Sequence, residues 1–166
     1  MSALPEIVDA WRMVAAQRIF EGELPLRDMP RLRDSLARAE GVARFQLQFG
    51  RDEWGNAFLA LEIQAQLPLQ CQRTLEVFEL PVLLHERLGL IAKEEDEAAL
   101  PPGFEPLLTA DGELRLADVI EDELILALPV VPFKPGSEGE SEVLWTSSPE
   151  DGDANPFAAL ARLKKN

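Results

Sequence analysis

The chain has 166 residues, 46% of them hydrophobic, and a formal net charge of −14. That length supports one domain with a real core, and no apolar run reaches the roughly 20 residues needed to cross a bilayer. A single cysteine, Cys71, and a single histidine, His85, leave neither an internal disulfide nor a four-ligand structural zinc site to be built, so no cofactor and no metal is expected.

Charge is unevenly spread. Residues 1–51 carry eight Arg against seven Asp and Glu, residues 162–166 carry Arg162, Lys164 and Lys165, and residues 52–161 hold five basic and 23 acidic side chains. An acidic middle of this size repels phosphate over most of the surface and suits a basic partner. The opening Met1-Ser2-Ala3-Leu4-Pro5-Glu6 has neither a basic n-region nor an apolar h-region. A cytoplasmic protein with no membrane partner is expected.

In chain order, Asp9 is a plausible cap for a short helix through Trp11, Met13, Val14 and Arg18, followed by an extended Ile19–Leu24 that Pro25 ends. Asp28 before Met29-Pro30 predicts a second helix capped by Asp28 and running to about Glu40, where Gly41 stops it. From Val42 the period is two. Ala43, Phe45, Leu47 and Phe49 alternate with Arg44, Gln46 and Gln48, and after the turn at 51–56 a second alternating run extends from Ala57 to Cys71. These predict an antiparallel hairpin, with Pro68 at an edge or bend, and Cys71 as a small buried hydrophobe. A third strand is expected over residues 74–84, despite Pro81.

Residues 93–103 read as a loop with a helical turn, and Asp111-Gly112-Glu113 as a tight turn. Asp118 and Glu121 have capping-box spacing and predict a helix through Ile120, Leu124 and Leu128, ended by Pro129, although the apolar run 124–128 also fits a buried strand. Residues 134–154 are rich in Gly, Ser, Pro and acids and read as a flexible acidic linker containing one apolar spot, Val143-Leu144-Trp145. Asn155-Pro156-Phe157 opens a short C-terminal helix over 155–166, with Phe157, Leu160 and Leu163 on one side. The whole reads as an α+β domain over residues 1–133: a largely antiparallel sheet with flanking N-terminal, post-116 and C-terminal helices.

No enzyme motif is found. There is no Gly-rich phosphate loop, no nucleophile elbow and no paired-histidine metal motif, and one histidine leaves little for acid–base work, so no catalytic residue is expected. Glu121, Asp122 and Glu123 form the densest carboxylate cluster, read as favouring the positive end of a helix and as a docking point for a basic partner. The C-terminal residues Asn155, Pro156, Phe157 and Leu160 form a second docking element, fitting either back onto the core or into a groove elsewhere. Arg27, Arg31 and Arg38 fall at helix-compatible spacings and are the candidates for RNA phosphate contact.

The run Ile120-Glu121-Asp122-Glu123-Leu124-Ile125-Leu126-Ala127-Leu128-Pro129-Val130-Val131-Pro132 resembles the acidic, double-proline motif of the YceD family. Asn155-Pro156-Phe157-Ala158-Ala159-Leu160 with Leu163-Lys164-Lys165 is similar to that family's ending, and Leu69-Gln70-Cys71-Gln72-Arg73 to its cysteine-bearing strand end. Where many relatives carry a C-x-x-C pair, this chain has Cys71 and Thr74. The resemblance implies a soluble, non-catalytic ribosome-biogenesis factor supporting synthesis, processing or stability of 23S ribosomal RNA. It would dock a basic protein such as a ribosomal protein or a ribonuclease, or contact ribosomal RNA directly through the N-terminal arginines and the basic C-terminus.

Overall fold

A computed structural model describes residues 4–109 and 111–135. The linker expected over 134–154, apart from Lys134 and Pro135, and the expected C-terminal helix with Asn155, Pro156, Phe157 and Leu160 lie outside the described residues. The elements are β1 (Val8–Asp9), α1 (Ala10–Ala15), β2 (Ile19–Pro25), α2 (Pro30–Arg33), β3 (Val42–Arg51), β4 (Ala57–Gln70), β5 (Val77–Ile91), β6 (Glu105–Leu108), β7 (Glu113–Leu114) and α3 (Leu116–Ala127).

Five strands form one sheet in the order β2-β3-β4-β5-β6, antiparallel except for the parallel β5–β6 pair, and β1 with β7 forms a separate short antiparallel ladder. The α+β fold class follows from the sheet alternation already visible in β3 and β4. Register aligns Phe45 with Ile63, Leu47 with Leu61 and Phe49 with Leu59, and the same rows continue to Leu84, Glu86 and Leu88 on β5. This is the dry face, on which α1 packs against β3 and β4, and α3 packs against β5 and α2. The wet face presents Arg44, Gln46, Gln48, Glu62, Gln64 and His85 to solvent.

Asp9 caps α1 as expected, accepting the Arg12 N–H at 3.1 Å. The second helix departs from expectation. It has one turn, its cap position is Met29 rather than Asp28, and no side chain at that position accepts a hydrogen bond. After Arg33 the chain leaves the helix so that the Ala37 N–H can reach the Pro68 carbonyl at 2.8 Å. That bond satisfies β4 where its pairing with β3 has already ended at Ala65.

The third strand is shifted and longer than expected, beginning at Val77 and running to Ile91. Pro81 lies opposite Gln66 on a stretch of β5 paired only with β4, so a missing donor on its open side leaves no ladder bond unmade. Leu75, expected inside the strand, instead sits in the preceding turn with φ of +61°, where its N–H closes onto the Cys71 carbonyl. The run 124–127 belongs to a helix, and Leu128 is its extended C-cap. Leu116, Val119, Ile120 and Leu124 share the buried side at helical spacing. The helix starts at Leu116, with Asp118 already in its first turn and Glu121 turned elsewhere, so the capping box is not formed.

Candidate functional site

Glu121 projects from the second turn of α3 onto the N-terminus of α2. It is buried, and its Oε2 accepts the backbone N–H of Arg31 at 2.9 Å and of Leu32 at 3.3 Å, while Oε1 accepts from Arg31 Nε at 2.9 Å. Arg31 Nη2 lies 2.8 Å from the same oxygen, and Nη1 bonds Asp122 Oδ1 at 2.6 Å. One guanidinium therefore bridges two consecutive carboxylates of α3. The hydrogen bonds and charge of Asp122, with those of Glu121, hold the Arg31 pKa above its ordinary value. Glu121, expected among the docking carboxylates, faces inward and acts as a remote cap.

The other two arginines expected to contact RNA also have acidic neighbours. Arg38 Nη2 is 3.5 Å from Glu79, and Arg27 Nε is 4.0 Å from Asp28. Arg27, Arg31 and Arg38 are each at least half exposed, but a phosphate would have to compete with a carboxylate at each.

Glu123 points to the opposite side of α3, where it is buried at the edge of a groove of 380 Å³ between α3 and β6. The floor is apolar, from Leu88, Leu107, Val119 and Ile125, and Glu105, Asp122 and Glu123 stand around it. Glu86 occupies the dry-face row opposite Leu61 on β5. Burial first, then the charges of Glu105, Glu86 and Asp122, push the Glu123 pKa up to about 7. Leu126, three-quarters exposed, rises at the lip. This is an apolar channel with an acidic rim whose Arg31 is already engaged, an arrangement suited to a basic amphipathic segment. Sequence reasoning found Asp122 and Glu123 but not Glu86 or Glu105, which come from two strands brought together by the parallel crossover. A larger recess of 780 Å³ along β2 mixes Arg18 and Arg44 with Glu21 and Glu23 and has no single charge character.

The turn between β4 and β5 forms a second local centre. Cys71 is buried, and its Sγ accepts N–H groups from Lys134 at 3.3 Å and Thr74 at 3.5 Å. Burial pushes the thiol up, but the donors from Lys134, Thr74 and Arg73 outweigh it and hold the pKa at about 6. The Gln72 N–H bonds the Pro132 carbonyl, and Lys134 Nζ bonds Glu76 at 2.9 Å. The segment leaving α3 is thereby fastened to this turn. The backbone of Lys134, first residue of the expected linker, takes part in that contact.

No described helix is long and apolar enough to cross a membrane. The profile of a family described as "Large ribosomal RNA subunit accumulation protein YceD" matches residues 59–164. Over 168 residues the chain is 29% identical to the large ribosomal RNA subunit accumulation protein YceD of Haemophilus influenzae, an alignment covering 98% of this chain and 97% of that one. No solved structure matches it. With nearly two thirds of its length, from the second long strand to the basic C-terminus, inside the family profile, the chain belongs to the YceD family.

Proposed function

We propose that this protein supports the accumulation of large-subunit ribosomal RNA as a non-catalytic cytoplasmic factor, and that it does so by docking a basic protein partner on the acidic rim of the α3–β6 groove. Family membership supports the first part. The observation that carries the second is the convergence of Glu105, Asp122 and Glu123 around an apolar floor, with the charge of Glu86 also acting on Glu123. Carboxylates of one sign steer a cationic partner and set its orientation, while the apolar channel supplies contact area. A ribosomal protein or a ribonuclease carries charge of the required sign.

The test is affinity capture of the tagged full-length protein from its native lysate, with and without nuclease, alongside a Glu105→Lys/Asp122→Lys variant. Large-subunit proteins or a ribonuclease that persist after nuclease treatment and are lost in the variant support docking through the rim. Recovery of precursor ribosomal RNA that is lost on nuclease treatment, and unaffected by the charge reversal, would overturn it in favour of direct RNA contact through Arg27, Arg38 and the basic C-terminus.

A further inference from the structure

The groove between α3 and β6 has a floor of buried and half-buried apolar side chains and an exposed Leu126 at its lip, with no described segment of the chain lying in it. Its rim is acidic, and the neighbouring cation, Arg31, is held by Glu121 and Asp122. An occupant must therefore bring both an apolar stripe and positive charge.

The chain contains such a segment beyond the described residues. Residues 155–166 read Asn-Pro-Phe-Ala-Ala-Leu-Ala-Arg-Leu-Lys-Lys-Asn: Phe157, Leu160 and Leu163 recur every third position, Arg162, Lys164 and Lys165 supply charge, and no acid is present. The other apolar spot downstream, Val143-Leu144-Trp145, directly follows Glu138, Glu140 and Glu142 and would bring like charge to the rim. Reach is not limiting. Asn155 lies twenty residues beyond Pro135, a length of chain that reaches at most about 70 Å, against a radius of gyration of about 14 Å for a domain of this size. A tether of that length holds the segment near the core at an effective concentration of the order of millimolar, so even a weak complementary contact would be populated.

We infer that the α3–β6 groove is the seat of the chain's own C-terminal segment, Asn155–Lys165, bound in cis with Phe157 and Leu160 on the apolar floor and Arg162, Lys164 and Lys165 against the acidic rim. Occupancy in cis does not depend on the proposed partner, and it is tested on the isolated protein, so either reading can fail alone.

The experiment compares amide NMR spectra of the full-length protein and a full-length Phe157→Asp/Leu160→Asp variant, at low salt and at two concentrations tenfold apart. The expected result is a set of shift changes concentrated at Glu105–Leu108 and Val119–Leu126, independent of concentration, and reversed when a synthetic peptide of residues 155–166 is added to the variant. Full-length Leu126→Asp, altering a side chain that is largely exposed, should release the same tail resonances with the fold intact. Changes absent from β6 and α3, or clustered on another face, would overturn the assignment. Changes present only at the higher concentration would also overturn it, by assigning the groove to the tail of a second copy.

Discussion

Glu121 and Arg31, 90 residues apart, join α3 to the one-turn α2: the buried carboxylate accepts the Arg31 backbone N–H at 2.9 Å and its guanidinium at 2.8–2.9 Å. A one-turn helix has almost no intrinsic stability, and α2 has no cap from its own neighbourhood. Glu121 supplies the missing acceptor and the favourable charge at its positive end. Glu121→Ala is expected to cost about 2–3 kcal/mol, since it leaves two backbone donors without their acceptor beneath a packed interface. Asp122→Ala, at an exposed position, should cost less than about 1 kcal/mol. Urea titrations of both variants check the ordering; equal losses would show that the buried cap is not the stronger element.

This cap marks where the sequence stopped being legible. Strict alternation in β3 and β4 has one interpretation because a one-residue slip would turn every apolar side chain outward. Helix α3 could be anticipated because Leu116, Val119, Ile120 and Leu124 follow a helical period, although the continuous run 124–128 concealed it. By contrast, Asp28 looked like a local cap, and the residue that does cap α2 lies 89–90 positions downstream of the donors it accepts from, a pairing no local pattern encodes. Strands β1, β6 and β7 are two to four residues long and form from ladder pairing rather than from any hydrophobic period. Part of the acidic rim was invisible for the same reason: Glu105 becomes a neighbour of Glu123 only through the β5–β6 crossover.

Glu123 should give the protein a distinct pH dependence. Its pKa is about 7 in the folded protein against 4.5 for an ordinary glutamate, so between those values the folded state binds the extra proton. Stability therefore falls as pH rises from about 4.5 to about 7 by this group's contribution, and above pH 7 the buried charge remains as a cost. Glu123→Gln is expected to match the parent near pH 4.5 and to exceed it at pH 8 by on the order of 1–2 kcal/mol. Denaturant midpoints across pH 4.5–8 measure this, and a constant difference between the proteins would contradict it.

Leu75 occupies the left-handed region at φ +61° while its side chain is 66% exposed. A γ-branched residue there carries backbone strain with little burial to offset it, and asparagine tolerates this conformation better. Leu75→Asn is expected to raise stability by about 0.5–1 kcal/mol, read as a higher thermal midpoint. A lowered midpoint would mean that the leucine makes contacts worth more than the strain.

Cys71 titrates in the opposite sense to Glu123. Its thiol pKa drops from 9.0 to about 6 on folding because N–H donors from Lys134 and the Thr74 turn converge on the sulfur, so between those values the unfolded chain holds the extra proton. Its stabilising contribution is fully present above pH 9 and is lost as pH falls toward 6. The difference in stability between the parent and Cys71→Ser should grow as pH rises across this window, and hydrogen exchange at the Lys134 amide should quicken in the variant at pH 8. Because the sulfur is fully buried, alkylation of the folded parent should remain slow despite its thiolate character, accelerating only under conditions that open the turn. Rapid alkylation at pH 7 without loss of structure would show instead that the segment around Lys134 leaves the sulfur readily, and that the tail's anchor on the β4–β5 turn is loose.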